Sequence, residues 1–210
     1  MKDRIIYVHG KGGSVEEAEH YRGLFPEAEV VGFDYHAQTP WEAREEFPQF
    51  FAEQRKHCDH LMLIANSIGA FFSMSSLNDT LIDQAHFISP VVDMEKLIGN
   101  MIIWANVTEQ ELAEKSEIPT RFDETLSWPY LCYVREHPIV WQVPTRILYS
   151  EHDNLTDLET HISFRKASWC RTHHYEGGEH WFHTEQQMRF LDDWILRNFQ
   201  KCVKISEVYF

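Results

Sequence analysis

The 210-residue chain has no apolar run long enough to cross a bilayer, which takes about 20 consecutive residues. Its N-terminus, MKDRIIYVHG, lacks an extended apolar segment and a small-residue cleavage site, so no secretory leader is expected. Cysteine is sparse: Cys58, Cys132, Cys170 and Cys202 lie far apart, with no CxxC pair. That spacing speaks against a disulfide framework or a zinc knuckle and predicts reduced thiols in a cytoplasmic protein. Basic residues are outnumbered, with 19 Lys and Arg against 33 Asp and Glu and a net charge of −14. This balance disfavours binding to nucleic acid or to an anionic membrane surface. H-E-x-x-H and the phosphate-binding G-x-x-x-x-G-K-[ST] are both missing. The glycine-rich stretch GKGGSV also lacks the last glycine of a dinucleotide loop. No metal or cofactor is expected.

What is present is alternation. Hydrophobic residues make up 43% and charged residues 25%, which supports one globular domain over residues 1–210. The short β-branched run Arg4–Gly10 reads as a buried strand, and further strands are read at Glu29–Tyr35, His60–Asn66, Ala85–Pro90, Thr145–Glu151 and Arg171–Gly177. Between them lie helix signals. Ser14 with Glu17, Thr39 with Pro40 and Glu42, and Thr156 with Glu159 have the spacing of capping boxes. A final helix follows Thr184, with Phe190, Leu191, Trp194, Ile195 and Phe199 on one face. Continuous apolar strands alternating with capped helices predict an α/β fold. The expected architecture is a three-layer α/β/α sandwich on a mostly parallel six-stranded sheet. The tail CVKISEVYF alternates weakly and could add an edge strand.

Residues 91–143 interrupt the pattern. This segment is too long for one crossover and includes the helical stretch TEQELAEKSE. It carries Met101, Trp104, Trp128, Tyr130, Tyr133 and Trp141. We expect a helical insertion that packs over one end of the sheet as a lid. The plainer alternative is that these aromatics fill the core beneath a long crossover.

In open parallel sheets the reactive groups gather beyond the carboxyl ends of the strands. HGKGGS follows the first strand, NSIGA the third, EHDN the fifth and GGEHWFH the sixth. A glycine-rich loop, a serine, an acid and a histidine thus each follow a different strand, with the last three in the chain order serine, acid, histidine. Taken alone, Ser67 would serve equally well as the N-cap of the helix after the third strand.

With this set the sequence resembles the α/β-hydrolase family. That family's nucleophile elbow is small-x-Ser-x-Gly between a strand and a helix. Here the motif is Ala65, Asn66, Ser67, Ile68 and Gly69, with alanine in place of the usual first glycine. The resemblance implies six main strands in the order 2-1-3-4-5-6, without the family's first two. It implies Ser67 as nucleophile and His180 as its base, ahead of His183 and the His173–His174 pair. It implies Asp153 as the acid that orients His180. Glu151 and Asp157 are its rivals, although Asp157 at a helix start is explained by the helix dipole. The backbone amides of Lys11 and Ile68 are implied as the oxyanion donors, with the Lys11 side chain turned to solvent. Met101, Trp104, Trp128, Tyr130 and Trp141 are the expected lid and pocket residues.

The expected activity is cleavage of a small ester or thioester through an acyl-enzyme intermediate. Amide or peptide hydrolysis and acyl transfer use the same groups, and a noncatalytic binding protein could keep the fold. The expected partner is a small acyl substrate, with neither nucleic acid nor a membrane.

Overall fold

The computed structural model describes residues 3–167 and 170–199. In chain order the elements are β1 (Arg4–Val8), α1 (Ala18–Leu24), β2 (Glu29–Gly32), α2 (Pro40–Arg55), β3 (Leu61–Asn66), α3 (Ser67–Ser76) and β4 (Gln84–Ile88). Then come α4 (Met94–Ala105), α5 (Glu109–Lys115), β5 (Glu117–Pro119), β6 (Thr125–Ser127) and α6 (Trp128–Glu136). The chain returns to the sheet with β7 (Thr145–His152), α7 (Leu158–Ala167), β8 (Cys170–Glu179) and α8 (Glu185–Phe199). The proposed tail strand and Cys202 lie outside the described residues.

The main sheet has six parallel strands in the order β2-β1-β3-β4-β7-β8. Counting only its own strands, this is the expected order. The labels differ because the antiparallel pair β5–β6 intervenes. Successive side chains on a strand point to opposite faces, and both faces are covered. Ile6, Val8, Leu63, Ala65, Phe87 and Ile147 face one core, shared with Phe47 and Phe51 of α2 and Phe72 of α3. Ile5, Tyr7, Ile64, Ile88 and Leu148 face the other, against Tyr21 of α1 and Leu191, Trp194 and Ile195 of α8. Strands apolar on both sides read as unbroken hydrophobic runs for this reason.

The helix caps follow the sequence in part. Thr39 and Glu42 form a complete capping box at α2, with Pro40 at the first turn. Thr184 accepts from the Gln187 amide at α8. Two expected boxes do not form. Ser14 makes no side-chain cap and is followed by a short 3-10 turn, Val15–Glu17, while Glu17 accepts a hydrogen bond from the Tyr7 hydroxyl instead. At α7 the cap is Asp157, whose Oδ1 accepts from the Thr160 amide at 2.8 Å.

Residues 94–136 form three helices and the β5–β6 hairpin between β4 and β7. Leu97, Ile98, Leu112, Leu126, Leu131 and Val134 bury against the core on the α2–α3 side. Arg135 of α6 ties the segment together, reaching Glu95 at 2.8 Å and Glu109 at 2.6 Å. Among the described residues, no helix is long and apolar enough to cross a membrane.

Candidate active site

Ser67 lies where β3 becomes α3. Its φ is 48°, in the left-handed region that side chains other than glycine seldom adopt. The turn is tight because α3 lies directly on the loop after β1. A methyl group on Gly69 would sit 2.3 Å from the His9 carbonyl oxygen, so only glycine fits there. A methyl on Gly10 would come within 3.2 Å of the Ser67 Cβ. Ala65, the departure from the usual elbow glycine, is fully buried and sits opposite Val8 in the ladder.

The loop after β1 is held from outside. Tyr35 donates its hydroxyl to the His9 carbonyl at 3.0 Å and stacks on the His9 ring at 4.4 Å. Neither the Lys11 amide nor the Ile68 amide donates to any group of the described chain. Ile68 owes this to its place in the first turn of α3, where amides have no partner within the helix. The Lys11 side chain is mostly exposed but not free: it pairs with Glu124, between β5 and β6, at 2.5 Å.

His180 lies just beyond β8, and its Nε2 accepts from the Ser67 hydroxyl at 2.9 Å. Its Nδ1 donates to Asp153 Oδ2 at 2.7 Å. Asp153 follows β7, and its side chain is fully buried. Its other oxygen accepts from the amides of Leu155 at 2.9 Å and Thr156 at 3.0 Å. Burial pushes this carboxyl up. The bond and charge of His180, with the two amides, outweigh burial and hold it below its ordinary value. A register shift between Ser150 and His152 in the β7–β8 ladder precedes the acid loop, and such irregularities re-aim the chain.

The rival residues are engaged elsewhere. Glu151 accepts from the Gly177 amide, and Asp157 caps α7 and pairs with Lys96 at 2.7 Å. His183 stacks on the exposed Trp181. His173 and His174 lie within β8, against Trp194 and Tyr149.

The expected pocket residues divide. Met101, Trp128 and Tyr130 are partly buried against the core. Tyr130 meets Trp41 edge-on at 5.8 Å, and its hydroxyl is buried without a partner. Trp104 is 44% exposed, with its edge toward Phe122. Trp141 is a correction. It is 2% exposed, donates to Thr145 Oγ1 at 2.7 Å and packs on Phe87. Thr145 begins β7, so Trp141 is a core residue at the amino end of the sheet, opposite Ser67. Sequence reasoning also missed His161 and Tyr35, which touch the site only through other residues. No sequence pattern marks either one. Among the described residues, no group of three or more His, Cys, Asp or Glu side chains could hold a metal ion.

The six-stranded parallel sheet, the serine turn at β3 and the acid and histidine after β7 and β8 define an α/β-hydrolase fold. The chain has that fold. It is similar to the mouse alpha/beta hydrolase domain-containing protein 10, with a TM-score of 0.76 and 13% identity over 94% of this chain and 90% of that one. It is also similar to Est1E from Butyrivibrio proteoclasticus, described with bound ferulic acid, with a TM-score of 0.75 and 13% identity over 96% of this chain and 89% of that one. A soluble variant of monoglyceride lipase from Saccharomyces cerevisiae matches with a TM-score of 0.65 and 10% identity, over 96% and 87% of the two chains. No protein-family model matches the sequence, and no curated protein does so.

Proposed function

We propose that the chain is a serine hydrolase that cleaves a small ester or thioester through an acyl-enzyme intermediate. The observation that carries this reading is the continuous contact from the Ser67 hydroxyl through His180 to the buried Asp153. Ser67 Oγ attacks the acyl carbonyl while His180 Nε2 takes its proton. The carbonyl oxygen becomes an oxyanion met by the amides of Lys11 and Ile68. His180 returns the proton to the leaving group, which departs and leaves an ester on Ser67. Water, activated by His180, then attacks that ester and frees the acid and the enzyme. Asp153 holds the ring and stabilises it while it is protonated. The similar folds include a monoglyceride lipase and a monoacylglycerol lipase, which favours hydrolysis over a noncatalytic role. Amide hydrolysis and acyl transfer on the same groups are the alternatives within enzymes.

Residues 91–143 serve as the lid in this reading, with Met101, Trp104, Trp128 and Tyr130 toward the acyl group. The substrate is a small acyl compound, and neither nucleic acid nor a membrane takes part. The unpaired thiols of Cys58, Cys132 and Cys170 fit a reducing compartment such as the cytoplasm.

The test is labelling with a fluorophosphonate, which reacts with activated serines. Labelling of the wild type that disappears in Ser67→Ala supports the proposal. Folded wild-type protein that takes up no label contradicts it. A panel of nitrophenyl esters of increasing chain length, with matched thioesters and anilides, then ranks the substrate classes.

A further inference from the structure

His161 of α7 has no task in the steps above, yet it is completely buried. Its Nε2 shares a 3.0 Å hydrogen bond with Thr156 Oγ1, and its Nδ1 has no partner. Thr156 is itself buried. The backbone amide of that same residue donates to Asp153 Oδ1, and the other oxygen of Asp153 accepts from His180. The His161 ring lies 4.6 Å from that of Tyr149. The titratable groups that face it are Tyr149, Asp153, Asp157 and His180. Burial keeps the imidazole neutral, pushing its pKa down to about 4 against the pull of the two aspartates. A buried polar ring is costly unless it is hydrogen-bonded. An aliphatic side chain would fill the same space without that cost if packing were the only duty. The one polar contact His161 makes leads directly to the residue that holds the acid.

We propose that His161 is a positioning residue of this site: by holding the Thr156 hydroxyl it fixes the amide that pins Asp153 Oδ1, leaving Oδ2 directed at His180. This rests on the hydrolase reading of Ser67, His180 and Asp153. His161 does not touch the substrate and moves no proton. It limits how far the acid can turn, because a carboxylate held on one oxygen by two amides presents the other in a single direction. Supports of this kind are what keep reacting groups within a fraction of an ångström of productive geometry.

The test uses Thr156→Val, which removes the hydroxyl at nearly constant shape and leaves the amide. It is paired with His161→Leu and with Thr156→Ser, which restores the hydroxyl. Thr156→Val and His161→Leu are each expected to lower kcat about 10-fold, the scale typical of outer partners of a reacting group, with KM within about two-fold. The double variant falls no further than either single one, and Thr156→Ser stays near wild type. A second readout is the low-field proton resonance of the His180–Asp153 hydrogen bond in the substrate-free protein. It shifts or broadens in Thr156→Val and His161→Leu and stays put in Thr156→Ser. Wild-type kcat with an unmoved resonance in folded Thr156→Val overturns the proposal, as do additive losses in the double variant. If His161→Leu fails to fold, Thr156→Val against Thr156→Ser decides alone. The resonance does not depend on turnover. Failure of the hydrolase reading, seen as activity retained in Ser67→Ala, is therefore distinguishable from failure of this one.

Discussion

Ser67 presents its hydroxyl to His180 Nε2 at 2.9 Å from a backbone whose φ is 48°. The contact and the unfavourable dihedral belong together. The left-handed turn at the end of β3 lifts the hydroxyl clear of the strand and toward a ring that follows β8.

Glycine adopts that dihedral without penalty. Ser67→Gly is therefore expected to be more stable than Ser67→Ala by about 1 kcal/mol, with neither expected to turn over substrate in the proposed mechanism. Urea unfolding of the two variants checks this, and equal midpoints would show that the turn stores no strain.

Gly69→Ala probes the seam between α3 and the loop after β1. Alanine favours a helix, so any loss comes from the 2.3 Å approach to the His9 carbonyl. Because the obstacle is backbone, the loop or the helix must shift. The expected cost is about 1–3 kcal/mol, with turnover falling as the Lys11 amide moves. Wild-type melting and turnover together would mean that the two segments part without cost.

Asp153→Asn keeps the shape of the acid but replaces the acceptor facing His180 Nδ1. The ring then settles in the wrong tautomer, and kcat is expected to fall by about 10⁴-fold. Asp153 also links stability to pH. Its carboxyl is held below the ordinary value of 3.8, so its contribution is present above that pH and is lost as pH falls through its lower folded value. Denaturant titrations from pH 6 downward should show the gap between wild type and Asp153→Asn closing in that acid range.

Asp157 makes the same kind of prediction at the surface. The Lys96 ammonium first, opposed by slight burial and helped by Thr160, holds it down to about 2. A depressed acid stabilises the fold above 3.8 and ceases to do so as pH falls through about 2. Asparagine also caps helices well, so Asp157→Asn removes charge and little else. The variant is expected to trail the wild type at pH 6 by a small margin that salt reduces and that vanishes near pH 2. Urea midpoints across that range measure it.

Glu124→Gln cuts the ion pair to Lys11. The Lys11 side chain is mostly exposed and that of Glu124 partly so, so the change in stability is expected to stay under about 1 kcal/mol. In the proposed mechanism Lys11 contributes through its amide, so kcat on a short ester should hold within about two-fold. A large loss would give the Lys11 side chain a direct part in the site.

The central strands were readable because β1 and β3 are apolar on both faces, which leaves runs such as RIIYV and LMLIA, while their order followed from the family resemblance. That Ser67, Asp153 and His180 come together at one end of the sheet was readable because each follows a strand whose end the sequence marks. Depth within the fold was harder to read. Trp141 looks like its aromatic neighbours in the insertion, and only the start of β7 at Thr145 puts it at the far end of the sheet. The Ser14 box failed because Glu17, at the right spacing, is claimed by the Tyr7 hydroxyl, which also accepts from Asn66 at 2.9 Å. Local spacing cannot register a competitor brought in by the sheet. His161 was invisible for the same reason, since its partner chain runs through a hydroxyl and an amide of one residue.

The long segment between β4 and β7 has a practical consequence for how this molecule could be changed. Neighbouring parallel strands need a crossover in any case, and here that obligatory link has grown into three helices and a hairpin. The entropic cost of a longer link is slight, about 0.6 kcal/mol for each doubling. The exposed turn at Arg121 and Asp123, between β5 and β6, can therefore be lengthened while the strand ends that carry Ser67, Asp153 and His180 keep their partners, whereas trimming the helices would uncover the core that Leu97, Leu112 and Leu131 help to fill.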